Sequence, residues 1–416
     1  MGKLEKYTSY KESGVEWLGE IPEHWEILKT KYFHQNLKVL NTKRVCDNVL
    51  SLTLRGVVNN NIDSPEGLVP KDYATYQIFE KDDLVFKLID LENISTSRVG
   101  VVHEKGIMSS AYIRLQIGQT SIPRFAYYYY YSLYINQVYN NIGSGVRSTL
   151  NPTDLLNIEY IEPKIDEQLK IIEYLDEKIA QIDELISQKQ KLIELLKERK
   201  QIVINDAVTK GLDKNVEFVD SGVEWLGEIP EHWEIKELKY ALKFTTGGTP
   251  SSGVENYYNG EEPWVTIADM TGRYIEKSHF ISKKAVRECN MQIVPKNSLL
   301  YSFKLSVGQV AFTKEEIYTN EAIASFYPSK NIDLNFWYYV LPIFLIKNAN
   351  TNIYGAFLLN QDLIKNALII FPPKEEQTKI ASFLDEKTAK IDTAIELQQN
   401  YIDKLKEYKA SLIDSV

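Results

Sequence analysis

SGVEWLGEIPEHWEI occupies Ser13–Ile27, and the identical string returns at Ser221–Ile235. An exact match of fifteen residues at an interval of 208, half of a 416-residue chain, marks an internal duplication. A unit of that length exceeds the roughly 20–50 residues of solenoid repeats, so it is a duplicated domain. A second pair of segments closes each copy: EQLKIIEYLDEKIAQIDELI (Glu167–Ile186) and EQTKIASFLDEKTAKIDTAI (Glu376–Ile395). Between opener and closer the copies diverge, apart from fragments such as Arg98-Val99-Gly100-Val101 opposite Ser306-Val307-Gly308-Gln309. The plan is an opener, a variable body and a helix, stated twice.

The closing segments carry a heptad seam. Ile172, Leu175, Ile179, Ile182, Ile186, Lys189, Ile193, Leu196, Lys200 and Val203 recur three and four residues apart. Ala381, Leu384, Thr388, Ile391, Ile395, Gln398, Ile402, Leu405, Lys409 and Leu412 repeat the register. Sustained a/d periodicity of this kind buries a stripe against another helix, and a polar residue within it fixes register, the place held here by Lys189 and Gln398. Pro163 and Pro372-Pro373 stand before these helices, acids follow in their first turns, and Gly211 offers a C-cap to the first. At 1.5 Å per residue, roughly 40 residues make a rod of about 60 Å, longer than one turn of B-DNA. The boundaries expected are a first body over 1–163, a first helix over 164–210, a second body over 211–372 and a second helix over 373–416.

The bodies read as mixed α and β. DDLVFKLI, VGVV, AYIRLQI, WVTI, SLLYSF and QVAF are short β-rich runs between turn residues. RFAYYYYYSLYINQVY (Arg124–Tyr139) reads as a helix with Tyr127, Tyr130, Tyr131 and Tyr134 on one core-facing side. The apolar run Phe336–Ile346 is too short to span a bilayer and contains Pro342, which makes it a core element. The N-terminal residues lack an apolar signal segment, and Cys46 and Cys289 lie in different halves with no C-x-x-C partner. Both features point to a reducing, cytoplasmic setting with no membrane.

Catalytic signatures are missing from the sequence. It has no G-x-x-x-x-G-K-[ST] phosphate loop, and no Asp/Asn-Pro-Pro-aromatic tetrapeptide for methylating a flipped adenine. Asp176-Glu177-Lys178 and Asp385-Glu386-Lys387 mimic a nuclease motif, but residues i and i+2 on a helix do not share a face. The five histidines, His24, His34, His103, His232 and His279, show no metal-ligand spacing. The reading is a non-enzymatic binder without cofactor or metal of its own.

Net charge is −9, yet the cations cluster. Residues 29–60 hold Lys29, Lys31, Lys38, Lys43, Arg44 and Arg55 against Asp47. Residues 271–314 hold Arg273, Lys277, Lys283, Lys284, Arg287, Lys296, Lys304 and Lys314 against Glu276 and Glu288. Local basic stretches, more than the sum, make a phosphate-binding face. Candidate DNA contacts are Lys43, Arg44, Arg55, Lys87, Arg98 and Arg147 in the first copy, the last beside Gly143-Ser144-Gly145. In the second they are Gly247, Gly248 and Thr249 of a glycine loop, with Lys283, Lys284 and Lys304. Such a loop offers backbone N–H groups to a phosphate, or serves as a plain connection between strands. Helix pairing falls to Ile179, Ile182, Ile186, Lys189, Ile193, Ile391, Ile395, Gln398 and Ile402.

The opener G-x-I-P-x-H-W-E, the loop TGGTPSS with the following YYNGEEPWVTIADM, and the closing P-x-x-E-Q-x-x-I-x-x-x-L-D-x-K together resemble the specificity subunit of type I restriction–modification systems. VLSLTLRGVV, DLVFKL and GIMSSAYIRL of the first body resemble a recognition-domain subtype of the same family. The resemblance implies an α/β fold of two target recognition domains on two long antiparallel coiled-coil helices with pseudo-two-fold symmetry. Each domain would read half of a split double-stranded DNA target, and the helices would set the gap and dock two modification subunits. S-adenosylmethionine, ATP and Mg would belong to those partners and to restriction subunits. The chain departs from its own repeat at the end, where SLIDSV has no counterpart of TKGLD. The competing class is a coiled-coil scaffold whose globular ends bind proteins, a reading to which the negative net charge is congenial.

Overall fold

A computed structural model describes residues 7–61, 70–89, 91, 98–142, 149–304, 306–351 and 357–416. The closers are long helices, Ile165–Lys210 and Lys374–Asp414. The chain divides into two units by its internal contacts. One comprises Met1–Gln190 with Asn400–Val416, the other Lys191–Gln399. Each unit therefore holds one body, the first part of the helix that follows it and the last part of the other long helix.

The bodies share a sheet although their sequences diverge. In unit 1 a four-stranded antiparallel sheet runs in the order Gln35–Asn36, Ile113–Gln116, Leu84–Phe86, Val99–Val101. In unit 2 the order is Phe244–Thr246, Ile323–Phe326, Leu299–Ser302, Val310–Phe312, the same first-fourth-second-third pattern. A body helix covers each sheet, Pro123–Ile135 in unit 1 and Leu334–Lys347 in unit 2. The apolar run around Pro342 lies in the second of these, with Phe336, Trp337, Val340, Leu341 and Phe344 fully buried. The core face of the tyrosine helix is not the expected stripe of Tyr127, Tyr130, Tyr131 and Tyr134, of which only Tyr130 is buried. Tyr128, Tyr129 and Tyr130 are buried, whereas Tyr127, Tyr131 and Tyr134 are half-buried at its margin. The sheet takes one side, with Tyr130 edge-on to Phe86, and the long helix takes another through Tyr128 and Asp176.

Along the long helices burial follows the heptads. Leu175, Ile179, Ile182, Ile193, Leu384, Thr388, Ile402 and Leu412 are buried, and Ile186, Lys189, Leu196, Ile391, Ile395, Gln398, Leu405 and Lys409 are half-buried, while the residues between them mostly face outward. The direction of pairing is antiparallel within each unit. In unit 1 Asp183 pairs with Lys409 at 2.7 Å and Lys189 lies 5.0 Å over the ring of Tyr401. In unit 2 Lys200 pairs with Asp392 at 2.7 Å. Lys200 and Lys409 are repeat equivalents, as are Asp183 and Asp392, so one ion pair is made twice with the copies exchanged. Exposed pairs of this kind add little stability, and their value lies in register.

The opener serves to clamp the start of each long helix. Glu26–Lys29 pairs with Glu159–Glu162, and Glu234–Glu237 with Leu368–Phe371, so in both units the end of the opener pairs with the strand that leads into the long helix. Ile21 and Trp25 are buried in unit 1, as are Ile229 and Trp233 in unit 2. His24 meets Glu167 and His232 meets Glu376, each at 2.7 Å. Burial works against the charge on Glu167, yet hydrogen bonds from His24 and Tyr7 hold its carboxyl below the usual range. The following glutamine is fully buried in both copies. Gln168 accepts the N–H of Ile122 and donates to the carbonyl of Pro163, and Gln377 accepts the N–H of Asp333 and donates to that of Pro372. It thereby satisfies an orphan donor at the N-terminus of the body helix.

Unit 1 also buries charge. Asp83 and Arg114 are 3 % and 4 % exposed and meet at 2.6 Å, with Arg114 also donating to the carbonyl of Ile78. Burial outweighs the guanidinium and pushes the Asp83 carboxyl up, so the pair is costly to break and contributes little while intact. His34, 1 % exposed and edge-on to Tyr160 at 4.6 Å, is held neutral because burial pushes its pKa down to about 4. The unfolded imidazole takes a proton near pH 6.5, so between these values the unfolded chain binds more protons and stability falls as pH drops. Unit 1 should lose up to about 3 kcal/mol from pH 7 to pH 4 through this group. His34→Gln should flatten that part of a denaturation-against-pH profile. An unchanged slope in the variant would assign the loss elsewhere.

Candidate nucleic-acid interface

In unit 1 the exposed cations stand on scaffolded turns. The buried side chain of Asn41 donates to the carbonyl of Cys46 and accepts its N–H, closing a loop that presents Lys43, Arg44 and Val45. Arg44 sits in the left-handed region at φ 49° and pairs with Asp72 at 3.0 Å. Val39, Leu40 and Val45 are exposed around these cations. Arg55 occupies the tip of the hairpin between Leu50–Thr53 and Gly56–Asn59, beside Leu54, which is 69 % exposed. Arg55 borders a groove of about 360 Å³ whose walls include Arg124, Tyr127, Tyr131, Asp183 and Lys409.

In unit 2 the interface centres on the short helix Lys283–Glu288, capped by Ser282. Lys283 and Lys284 are strongly exposed and reach Glu262 and Glu288 only loosely, each at 3.8 Å. Arg287 shares that helix, and Phe280, 53 % exposed, lies on the strand leading into it. Ala285 anchors the helix on a small core with Trp264 and Ile281. Lys87 and Lys304 follow the second strand of the sheet in their respective units, Lys87 half-buried and Lys304 exposed.

Other expected contacts lie elsewhere. Arg98 is 1 % exposed and donates to the carbonyls of Ile89 and Leu91, so its guanidinium braces the body's own backbone and offers phosphate no accessible face. The glycine loop is likewise an internal connection. A Cβ on Gly247 would fall 1.7 Å from the carbonyl oxygen of Thr319, so glycine is required there by close packing. The N–H of Gly248 donates to that carbonyl, Trp264 donates to the carbonyl of Gly248, and the Thr249 hydroxyl donates to Glu321. These donors are engaged, and the carboxylate beside Thr249 repels a phosphate. Arg147 and Gly143-Ser144-Gly145 fall outside the described residues. Within the basic stretch 271–314, Arg273 and Lys314 are taken up by Asp385 and Glu276.

Sequence reasoning missed the exposed apolar neighbours Val45, Leu54 and Phe280, since an apolar residue displayed at a turn or strand end carries the same letter as one in the core. No group of three or more histidine, cysteine, aspartate or glutamate side chains among the described residues is placed to hold a metal ion. No helix among the described residues is long and apolar enough to cross a membrane.

Residues 230–407 match the family described as "Type I restriction modification DNA specificity domain". The type I restriction enzyme MjaIX specificity subunit of Methanocaldococcus jannaschii is 30% identical over 166 residues, 38% of this chain and 38% of that one. The MjaVIII specificity subunit of the same organism is 22% identical over 414 residues, 95% of this chain and 92% of the other. A solved chain described as "Structural basis underlying complex assembly and conformational transition of the type I R-M system" shares the fold, with a TM-score of 0.71 at 15% identity, covering 94% of this chain and 97% of that one.

Proposed function

We propose, from the premise that this chain is a DNA specificity subunit of a type I restriction–modification system, that each body reads one half of a bipartite, asymmetric target. The observation that carries the reading is a repeated frame holding two unlike surfaces. The opener recurs residue for residue, and the histidine–glutamate clamp and one aspartate–lysine helix pair recur with it, while unit 1 displays Lys43, Arg44 and Arg55 on turns and unit 2 displays Lys283, Lys284 and Arg287 on a helix. Cations on phosphates position a protein on the duplex, and side chains at base edges specify sequence. Val45, Leu54 and Phe280, exposed in the same turns and segments as those cations, would offer bases apolar contact.

The repeated parts suit repeated partners. In unit 2 the first long helix keeps Leu192, Leu195 and Ile202 40 %, 52 % and 44 % exposed, a row spaced three and seven residues apart. That row is apolar surface for a modification subunit, whereas the repeat-equivalent positions carry Tyr401, Lys404 and Ser411. The chain itself carries no catalysis, acts in the cytoplasm and leaves S-adenosylmethionine, ATP and Mg to the modification and restriction subunits.

With modification subunits present, DNA affinity should fall linearly in log–log form as salt rises, by about 0.9 for each phosphate neutralised. Lys283→Gln with Lys284→Gln should lower that slope by about two and leave sequence preference unchanged. A titration without salt dependence, or without preference between sequences, would favour the scaffold reading.

A further inference from the structure

The aspartate of the repeated L-D-x-K motif has a role that the motif itself does not announce. In unit 1 Asp176 accepts hydrogen bonds through Oδ1 from Arg124 Nε and Nη2, at 2.9 and 2.7 Å, and from the Tyr128 hydroxyl. In unit 2 its equivalent, Asp385, accepts Arg273 Nη1 at 2.6 Å and the Tyr339 hydroxyl at 2.6 Å through Oδ1, and Arg273 Nη2 at 3.0 Å through Oδ2. The guanidinium lies over a tyrosine ring in both, Arg124 over Tyr128 at 4.7 Å and Arg273 over Tyr338 at 4.8 Å. Leu175 and Leu384, immediately before the aspartates, are fully buried, so each carboxylate springs from a turn of the long helix anchored in the core.

The tyrosines come from equivalent places on the two body helices, whereas the arginines do not. Arg124 lies in the first turn of its body helix. Arg273 comes from a segment ahead of the Lys283–Glu288 helix, where its carbonyl accepts the N–H of Phe312 and its Nη2 also donates to Asn335 at 3.1 Å. Two divergent bodies thus deliver the same pair of groups to the same carboxylate by different routes. A patch of core packing would not require this; a fixed angle between body and helix would. Paired, charge-assisted hydrogen bonds constrain direction as well as distance.

We propose that Asp176 and Asp385 are positioning residues for DNA reading. Each sets the angle at which its own body is held on the long helix, so removing either charge blurs recognition of one half-site and leaves the other intact. This rests on the reading in which each body reads one half-site. The test uses the chain assembled with its modification subunits and three duplexes: the target established by methylation mapping, and that target with one or the other half-site scrambled. Asp176→Asn should reduce discrimination at one half-site by about tenfold, and Asp385→Asn should do so at the other. Arg273→Met should match Asp385→Asn, and combining the two should add nothing, as for residues acting as one unit. Equal weakening at both half-sites with discrimination preserved would make the contacts merely structural and overturn the proposal. Should Asp385→Asn fail to fold, Arg273→Lys keeps the charge and loses the paired fork; unchanged discrimination there overturns the proposal equally. If the unaltered complex fails to distinguish the half-sites at all, it is the two-reader reading that falls.

Discussion

Four residues inserted into both long helices, after Lys189 and after Gln398, should leave both half-sites unchanged and widen the gap between them by one or two base pairs. Four residues add about 6 Å of helix and turn it by about 40° beyond a full turn, which largely keeps the apolar stripe aligned. A base pair rises about 3.4 Å. The paired design follows from the reciprocal contacts Asp183–Lys409 and Lys200–Asp392, which lie on either side of the two insertion points. Lengthening one helix alone forces one contact out of register, so the extra turn is expelled as a bulge and the gap stays as it was. Two residues inserted in both helices should be far more damaging. They rotate everything beyond by about 200°, turning Ile193 and Leu196 on one helix and Ile402 and Leu405 on the other away from the seam. Ile193 and Ile402, the buried members, each forfeit about 1.5–3 kcal/mol on leaving it and the half-buried leucines less, and methylation in cells should fall to background. A widened gap from the one-helix insertion, or an unchanged gap from the paired one, would show that something other than the helices measures the distance.

The seam was legible because periodicity is a local property. Ile179, Ile182, Ile193 and Ile402 are buried where heptad spacing places them, and Lys189 and Gln398 lie half-buried within it. The duplication was legible through the openers. What the repeated letters do was not, because their partners are remote in sequence and depend on the folded body. Glu167 meets His24 143 residues away, and Asp385 meets Arg273 112 residues away. Arg98 and the Gly247-Gly248-Thr249 loop misled for one reason. Cations and glycines signal phosphate only if they remain accessible, and here a buried backbone and a close strand use them first. The common sheet order of the bodies was invisible for the opposite reason, since many different apolar sequences satisfy the same four strands.

The central claim is that a repeated frame carries two separable readers, and exchange of one body tests it most directly. The hydrogen bond from the Leu238 N–H to the Ala367 carbonyl, 2.9 Å, marks the point where the second body leaves the frame, just inside the paired strands Glu234–Glu237 and Leu368–Phe371. Residues 238–367 would be replaced by the matching body of a relative, keeping Asp385 and, at the structural equivalents of Arg273 and Tyr339, an arginine and a tyrosine. Methylated sites would then be mapped in cells expressing the chimera with its modification subunits. The account predicts that one half of the target changes while the other half and the gap remain those of the parent. Alteration of both halves, or a palindromic target from the unaltered chain, would contradict it.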